Sequence, residues 1–365
     1  MKYLHSIHQP ELLVDKAKVI NNIKFMKSKA DRNNVIFRPH FKTHQSIEIG
    51  RWFRDYGTDK ITVSSLSMAK YFAKDGWKDI TVAFPVNLRE IDLINELANK
   101  IKLNLLVEST DAIRFLSKHL KSKISVYIKI DVGTNRTGIH FSDKKSIQNI
   151  AKEISKSALI NLEGLLTHAG HTYSAKSIKE IKEIYKTSTE HLNQVRNYLN
   201  RELIISYGDT PSCSVVQKFS GVDEIRPGNF VFYDFMQYKL GACSFDKIAT
   251  ILAAPVVAKH SERSEIVVYA GAVHLSKDFL IINDKKSFGG IVALKQNSWS
   301  DLLPNCYVKS ISQEHGIIKL SKSFFAKTKI GDLIGIVPVH SCLTADLMKH
   351  YLSLEGSRIV MFNGW

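Results

Sequence analysis

VIFRPHFKTH (35–44) begins as an apolar, β-branched run and ends in a polar tract carrying Arg38, His40, Lys42 and His44. A short strand that delivers ionisable side chains at its carboxyl end is the building unit of parallel barrels and doubly wound sheets. The unit recurs. KITVSS (60–65), DITVAF (79–84), KLNLLV (102–107), ISVYIKID (124–131), NLEGLLTHA (161–169), LIISYGD (203–209) and the short EIRPG (224–228) read as seven further strands. Between them, stretches such as SLSMAKYFAKDG and NLREIDLINELANK repeat apolar residues every three or four positions, as amphipathic helices do. Eight such repeats predict a TIM-type (β/α)8 barrel over residues 10–240, and a doubly wound sheet is the alternative the rhythm allows.

From about residue 240 the texture changes. KIATILAAPVVAKH, SEIVVYAG, FGGIVALK, CYVKSIS, HGIIKLS and DLIGIVPVHSC are strand-like and joined by turn residues. They predict a β-rich domain over residues 241–365. No Pro- or Ser-rich linker separates the two regions.

The bulk properties narrow the function. The 365 residues give ample material for two domains, and 44% are hydrophobic. No apolar run approaches the roughly 20 residues that span a bilayer, and the opening MKYLHSIHQPELLVDKAKV lacks a signal-peptide block. Four dispersed cysteines fit a reducing, cytoplasmic setting. The net charge of +16 admits a nucleic-acid binder, but the lysines are spread along helix faces with acids interleaved. A field that draws in an anionic cofactor and carboxylate substrates is the simpler reading.

The chemistry gathers at the strand ends: HFKTH, DVGTNRTG, THAGHTYS, GDTPS and RPGN, which a barrel would bring to one face. Lys42 is either a solvated loop lysine or an amine made nucleophilic by desolvation and nearby cations, for which Arg38, His40 and His44 are candidates. GDTPS (208–212) and RPGN (226–229) are either tight turns or a phosphate site, with TPSCSVVQKF opening a helix whose free N–H groups favour an anion. His340 and Cys342 form H-x-C at the end of a strand-like run. In an extended chain both would face one side and could share a zinc ion, unless they are a structural pair.

Taken in order, xPELLVDKAKVxxNI, RPHFKTH, DVGTNRTGI, THAGHTYS, GDTPS, RPGNFVFYD and PVHSCLTADL resemble the fold-type III pyridoxal-phosphate enzymes. The likeness is to the alanine racemase-like branch holding D-serine dehydratase and D-threonine aldolase, and it covers nearly the whole chain. It implies a barrel carrying pyridoxal 5'-phosphate, a β domain that includes about residues 1–9, and a homodimer. By resemblance, Lys42 holds the cofactor covalently and Arg136 lies near its phenolate oxygen. His168 and Tyr173 contact it, Tyr173 facing the pyridine nitrogen. Gly208, Thr210, Gly228 and Asn229 form the phosphate cup, and His340 with Cys342 bind zinc or another divalent metal.

The implied activity is D-serine dehydration to a keto acid and ammonia, with a small D-hydroxy-amino acid as substrate and no nucleic-acid or membrane partner. The metal-dependent D-threonine aldolase reaction, giving glycine and an aldehyde, is the rival; the cysteine of H-x-C favours dehydration. A racemase, a non-catalytic cofactor carrier and a nucleic-acid binder are the outsiders. One segment departs from the family pattern: YAGAVHLSKD (269–278) carries His274 where small residues are usual, so His274 is expected either to line the site or metal or to mark a subgroup with altered substrate choice.

Overall fold

The computed structural model describes residues 4–364. Residues 1–3, part of the N-terminal stretch assigned to the β domain, and Trp365, which ends the tail, lie outside the described residues. The chain forms two compact units. One holds Lys24–Lys42 and Ile49–Gly228; the other holds the described residues up to Ile23 together with Thr43–Glu48 and Asn229–Asn363.

The first unit is the predicted barrel, and the doubly wound alternative is excluded. Its strands are β1 (Ile36–Phe37), β2 (Lys60–Val63), β3 (Asp79–Pro85), β4 (Lys102–Val107), β5 (Ile124–Asp131), β6 (Ile160–His168), β7 (Ile204–Gly208) and β8 (Glu224–Ile225). They pair in parallel, in the order β1-β8-β7-β6-β5-β4-β3-β2. A bridge between His40 and Thr62 brings the first strand against the second and nearly closes the ring. β1 is two residues long because Pro39 has no N–H for a regular ladder. The chain beyond it compensates: Arg38 and His40 donate to the carbonyls of Ile225 and Pro227, while Pro39 accepts from Thr62.

Parallel strands covered on both faces should be apolar throughout, and β5 is buried at every position. Yet β5 carries Lys129 and Asp131. Polar side chains fill much of the barrel interior, linked as a chain. Asn104 donates to Asp79 at 2.8 Å, and Arg38 pairs with Asp79 and Glu224, each at 2.6 Å. Ser206 donates to Glu224 at 2.6 Å, Arg226 to Ser206 at 2.7 Å, and Arg226 also to the Thr167 carbonyl. Every charge in this dry space is paired or hydrogen-bonded, which makes its burial tolerable.

The second unit is built on a nine-stranded sheet that is antiparallel except where Glu11–Val14 runs parallel to His350–Ser353. Thr250–His260 lies at its centre, pairing with Leu333–Pro338 and with Glu11–Val14. It also pairs with Glu265–Tyr269, which closes part of the sheet on itself. Among the described residues no helix is long and apolar enough to cross a membrane.

Candidate active site

Lys42 follows a residue that fixes its place. Phe41 is fully buried and its ring lies 5.0 Å from Phe53, 5.0 Å from Phe72 and 5.1 Å from Trp77, centroid to centroid. Pairs at these separations each add roughly 0.5–1.5 kcal/mol beyond area burial. The backbone N–H of Phe41 donates to Thr62 at 2.8 Å. Gly50 lets the Phe41 ring pack closely, since a Cβ there would come within 3.2 Å of it and push it by a few tenths of an ångström. This anchor sets Lys42 at the carboxyl end of β1, where its own N–H reaches His40 Nδ1 at 3.3 Å.

Of the three cations the spacing suggested, His40 stays beside Lys42, but Arg38 and His44 do not serve. Arg38 turns into the barrel interior, held by Glu224 and Asp79. His44 belongs to the other unit, and burial lowers its pKa to about 3, so it is neutral. Lys42 instead shares the surroundings of His168 with Arg136 and Lys129. The pKa of His168 is held well below the usual range, first by burial and then by the charges of Lys42 and Arg136. Burial also pulls Lys129 down to about 7, assisted by Arg226 and Arg136.

Arg136 rides on the loop after β5. Asp131 accepts from the N–H groups of Gly133, Thr134 and Asn135 at 2.9–3.2 Å, and Glu108 accepts from Gly138 at 2.6 Å. Gly138 has φ +104°, and a Cβ there would lie 2.9 Å from the Asp131 nitrogen, which accounts for the glycine in DVGTNRTG. Thr134 ties the loop to β6 by donating to the His168 carbonyl at 3.0 Å.

His168, Tyr173, Gly208 and Thr210 come together at the ends of β6 and β7. His168 Nδ1 donates to the Gly208 carbonyl at 2.6 Å. The neutral ring therefore carries its proton on Nδ1 and leaves Nε2 as an acceptor. Its ring centroid is 6.1 Å from that of Tyr173, whose hydroxyl accepts from the Thr210 N–H at 3.3 Å. The predicted helix after β7 forms over Thr210–Val215, with Asp209 as its N-cap and Pro211 in its first turn. A Cβ at Gly208 would crowd Arg226 at 3.1 Å. Gly228 ends this unit, one residue after Pro227, which accepts from the His40 N–H at 2.9 Å.

Asn229 belongs to the second unit, and its side chain turns inward. Nδ2 donates to Asp234 at 2.6 Å, to Ser341 Oγ at 3.1 Å and towards Cys342 Sγ at 3.5 Å. His340 and Cys342 are in hydrogen-bond contact, but not as alternate residues of a strand. The strand ends at Pro338; His340 is the N-cap of a helix over Ser341–Met348 and Cys342 lies in its first turn. The extended-chain argument for the pair fails, and a helix start brings the two together instead.

His340 Nδ1 meets Asp278 Oδ2 at 3.0 Å. Burial alone would lower the His340 pKa, but hydrogen bonds to Asp278 and Cys342 lift it to about 11. Cys342 Sγ is 3.2 Å from the hydroxyl of Thr43. The residue of YAGAVHLSKD that reaches His340 is therefore Asp278. His274 lies in its own short turn, with Nδ1 accepting from the Gly271 N–H at 3.2 Å and its ring edge-on to Tyr269.

The model of the alanine racemase N-terminal domain matches residues 14–234, more than half the chain, and that of a serine dehydratase domain matches residues 249–354. The chain belongs to the alanine racemase-like family of fold-type III pyridoxal-phosphate enzymes. It is similar to D-serine dehydratase of Dictyostelium discoideum, at 29% identity over 95% of this chain and 93% of that one. It is also similar in fold to the solved D-threo-3-hydroxyaspartate dehydratase from Delftia sp., with TM-score 0.90 over 100% of both chains at 24% identity. D-threonine aldolase of Arthrobacter sp. is a more distant relative, 23% identical over 92% of this chain and 86% of that one.

The residues present fit the family's cofactor. Thr210 Oγ1 is buried at the start of a helix with no hydrogen-bond partner in the protein, an arrangement that is costly unless a ligand oxygen satisfies it. For a metal the donor chemistry is suitable but sparse. A thiol and an imidazole in contact, with a carboxylate on the other ring nitrogen, are the parts of a zinc ligand pair and its outer partner. Among the described residues no three or more metal-binding side chains gather, so an ion here would need water or substrate for its remaining positions.

Four residues escaped the sequence reading: Lys129 and Arg226 in the barrel unit, and Thr43 and Asp278 in the other. Lys129 and Arg226 had a visible signal, a charge inside or beside a strand that is otherwise apolar. Thr43 and Asp278 had none beyond adjacency to Lys42 and His274.

Proposed function

We propose that the chain is a pyridoxal-phosphate- and zinc-dependent D-serine dehydratase, converting a small D-hydroxy-amino acid to a keto acid and ammonia. The observation that carries this reading is the His340–Cys342 contact backed by Asp278, in a chain whose full-length relatives include D-serine dehydratases. In our reading Lys42 and Arg136 are the catalytic residues. His168, Tyr173, Gly208, Thr210, Gly228 and Asn229 hold the cofactor, and His340 with Cys342 hold the ion. The barrel, 10–240, is the cofactor domain, and 241–365 with about 1–9 is the metal domain. A cytoplasmic homodimer is the expected working form.

When bound, pyridoxal phosphate supplies an electron sink next to the substrate Cα, and a divalent ion supplies Lewis acidity towards a hydroxyl group. The protein's own contributions follow from its side chains. Lys42 is the amine that holds the cofactor and, once released, the base that takes the α-proton. The Lys42 amine shares the surroundings of His168 with the charge of Arg136, a neighbour that favours an amine free of its proton. Asp278 fixes the imidazole of His340 so that its other nitrogen is available to an ion.

Metal-dependent cleavage of D-threonine is the second reading, kept because an aldolase lies among the relatives. Incubating the holoenzyme, loaded with zinc, with D-serine and with D-threonine separates the two. Pyruvate from D-serine supports dehydration; glycine from D-threonine supports the aldolase. Turnover of neither substrate would defeat both readings.

A further inference from the structure

The β-rich unit contains a cavity of about 640 Å³ that shares none of its walls with Asp278, His340 or Cys342. Four lysines line it: Lys239, Lys285, Lys319 and Lys322. No lining residue is acidic. Lys239 lies over the rings of Phe235 and Tyr238, and Lys319 donates to the Arg263 carbonyl. Among the described residues none of the four has a carboxylate partner of the kind that Lys70, Lys100 and Lys309 have. The floor is apolar, formed by Phe235, Ile282, Leu302 and Leu320. Gly290 keeps that floor open, since a Cβ there would strike Leu302 at 2.5 Å.

We propose that this cavity is a second ligand site, taking a small organic anion with an apolar body. Both halves of that description come from the walls. Ammonium groups without a carboxylate partner gain from a phosphate, sulfonate or carboxylate, and a concave apolar floor of this volume gains from covering a hydrocarbon surface. A purely inorganic anion would leave the floor exposed, and a neutral apolar molecule would leave four like charges uncompensated. The site does not depend on the assignment of the reaction, because it lies outside the residues that assignment uses.

The test is a fluorescence titration of the full-length chain with 1-anilinonaphthalene-8-sulfonate, beside N-phenyl-1-naphthylamine, which keeps the rings and lacks the charge. The double variant Lys285→Glu/Lys322→Glu should weaken sulfonate binding roughly tenfold or more while moving the neutral probe less than about twofold. Lys285→Arg/Lys322→Arg should retain wild-type binding. Hexyl phosphate and hexanoate should each displace the sulfonate, their ratio telling phosphate from carboxylate preference, and inorganic phosphate at equal concentration should not. All of these side chains are exposed, so folding is not at stake, and far-ultraviolet dichroism checks that. Equal affinity of the sulfonate for wild type and the charge-reversed variant would overturn the proposal, as would displacement by inorganic phosphate as strong as by hexyl phosphate.

Discussion

Thr210→Val removes one oxygen and little volume. In the protein alone Thr210 Oγ1 is buried and makes no hydrogen bond, so the native chain bears the cost of an unsatisfied hydroxyl, about 1–3 kcal/mol. The variant is freed of that cost, and the cofactor-free protein should melt at the same temperature or slightly higher. Binding should move the opposite way. A hydrogen bond to an ionised group contributes about 1.5–3 kcal/mol, which at 1.4 kcal/mol per decade is a loss of roughly ten- to 150-fold in affinity for pyridoxal phosphate. The assay is a titration of cofactor-free protein, read by the near-visible absorbance of the bound cofactor, with thermal denaturation of the same samples. The opposed signs distinguish the argument from general damage, which would lower both stability and affinity. Cofactor affinity within twofold of wild type would refute the placement of the phosphate at Thr210.

Three further outcomes are expected. Lys42→Ala should lose the near-visible absorbance of covalently held cofactor; a retained band refutes that role for Lys42. Cys342→Ala should abolish chelator-sensitive activity and leave cofactor absorbance intact, and loss of the cofactor instead would make Cys342 a structural residue. Lys129→Met should stabilise the cofactor-free protein near neutral pH. Its folded pKa, about 7, lies below the ordinary 10.5, so the unfolded chain takes up more protons between those values and folding is opposed there. At roughly 1.4 kcal/mol per unit the variant gains at most about 4 kcal/mol at pH 7. The gap between its melting temperature and that of wild type should close as pH rises towards 10.5. A gap that is absent at pH 7, or constant with pH, contradicts a neutral buried lysine.

The barrel was readable because most of its strands are rich in β-branched and apolar residues and are followed by polar tracts. That signal survives even at β1, where only two residues form the ladder, since Phe41 and the neighbouring aromatic rings supply the burial that hydrogen bonds do not. The interior was less readable. Arg38, Glu224 and Asp79 sit beside or within strands, and a linear sequence does not say which face a charge takes. Arg38 therefore read as a neighbour of Lys42, two side chains on in an extended tract. Its partners decide otherwise: burying a guanidinium costs several kcal/mol unless carboxylates meet it, and both available carboxylates lie inside the ring.

His340 and Cys342 show how a correct pairing can rest on a wrong geometry. A period-2 argument needs the strand to continue through residue 342, but it stops at Pro338 and a helix begins at Ser341. The helix start is braced from elsewhere in the chain. Asp234 accepts from the Ser341 backbone N–H at 3.0 Å and from its hydroxyl at 3.4 Å, which satisfies the first free donor of the helix from outside. With that donor held by a residue 107 positions earlier, no side-chain cap from His340 is required, and its imidazole is left to Asp278 and Cys342. The brace is tertiary, so the sequence around H-x-C carries no trace of it. Asp234 also accepts from Asn229, which links the RPGN turn to the same helix start. One buried carboxylate thus orders Asn229, His340 and Cys342 together, a coupling between two motifs that spacing alone would treat as independent.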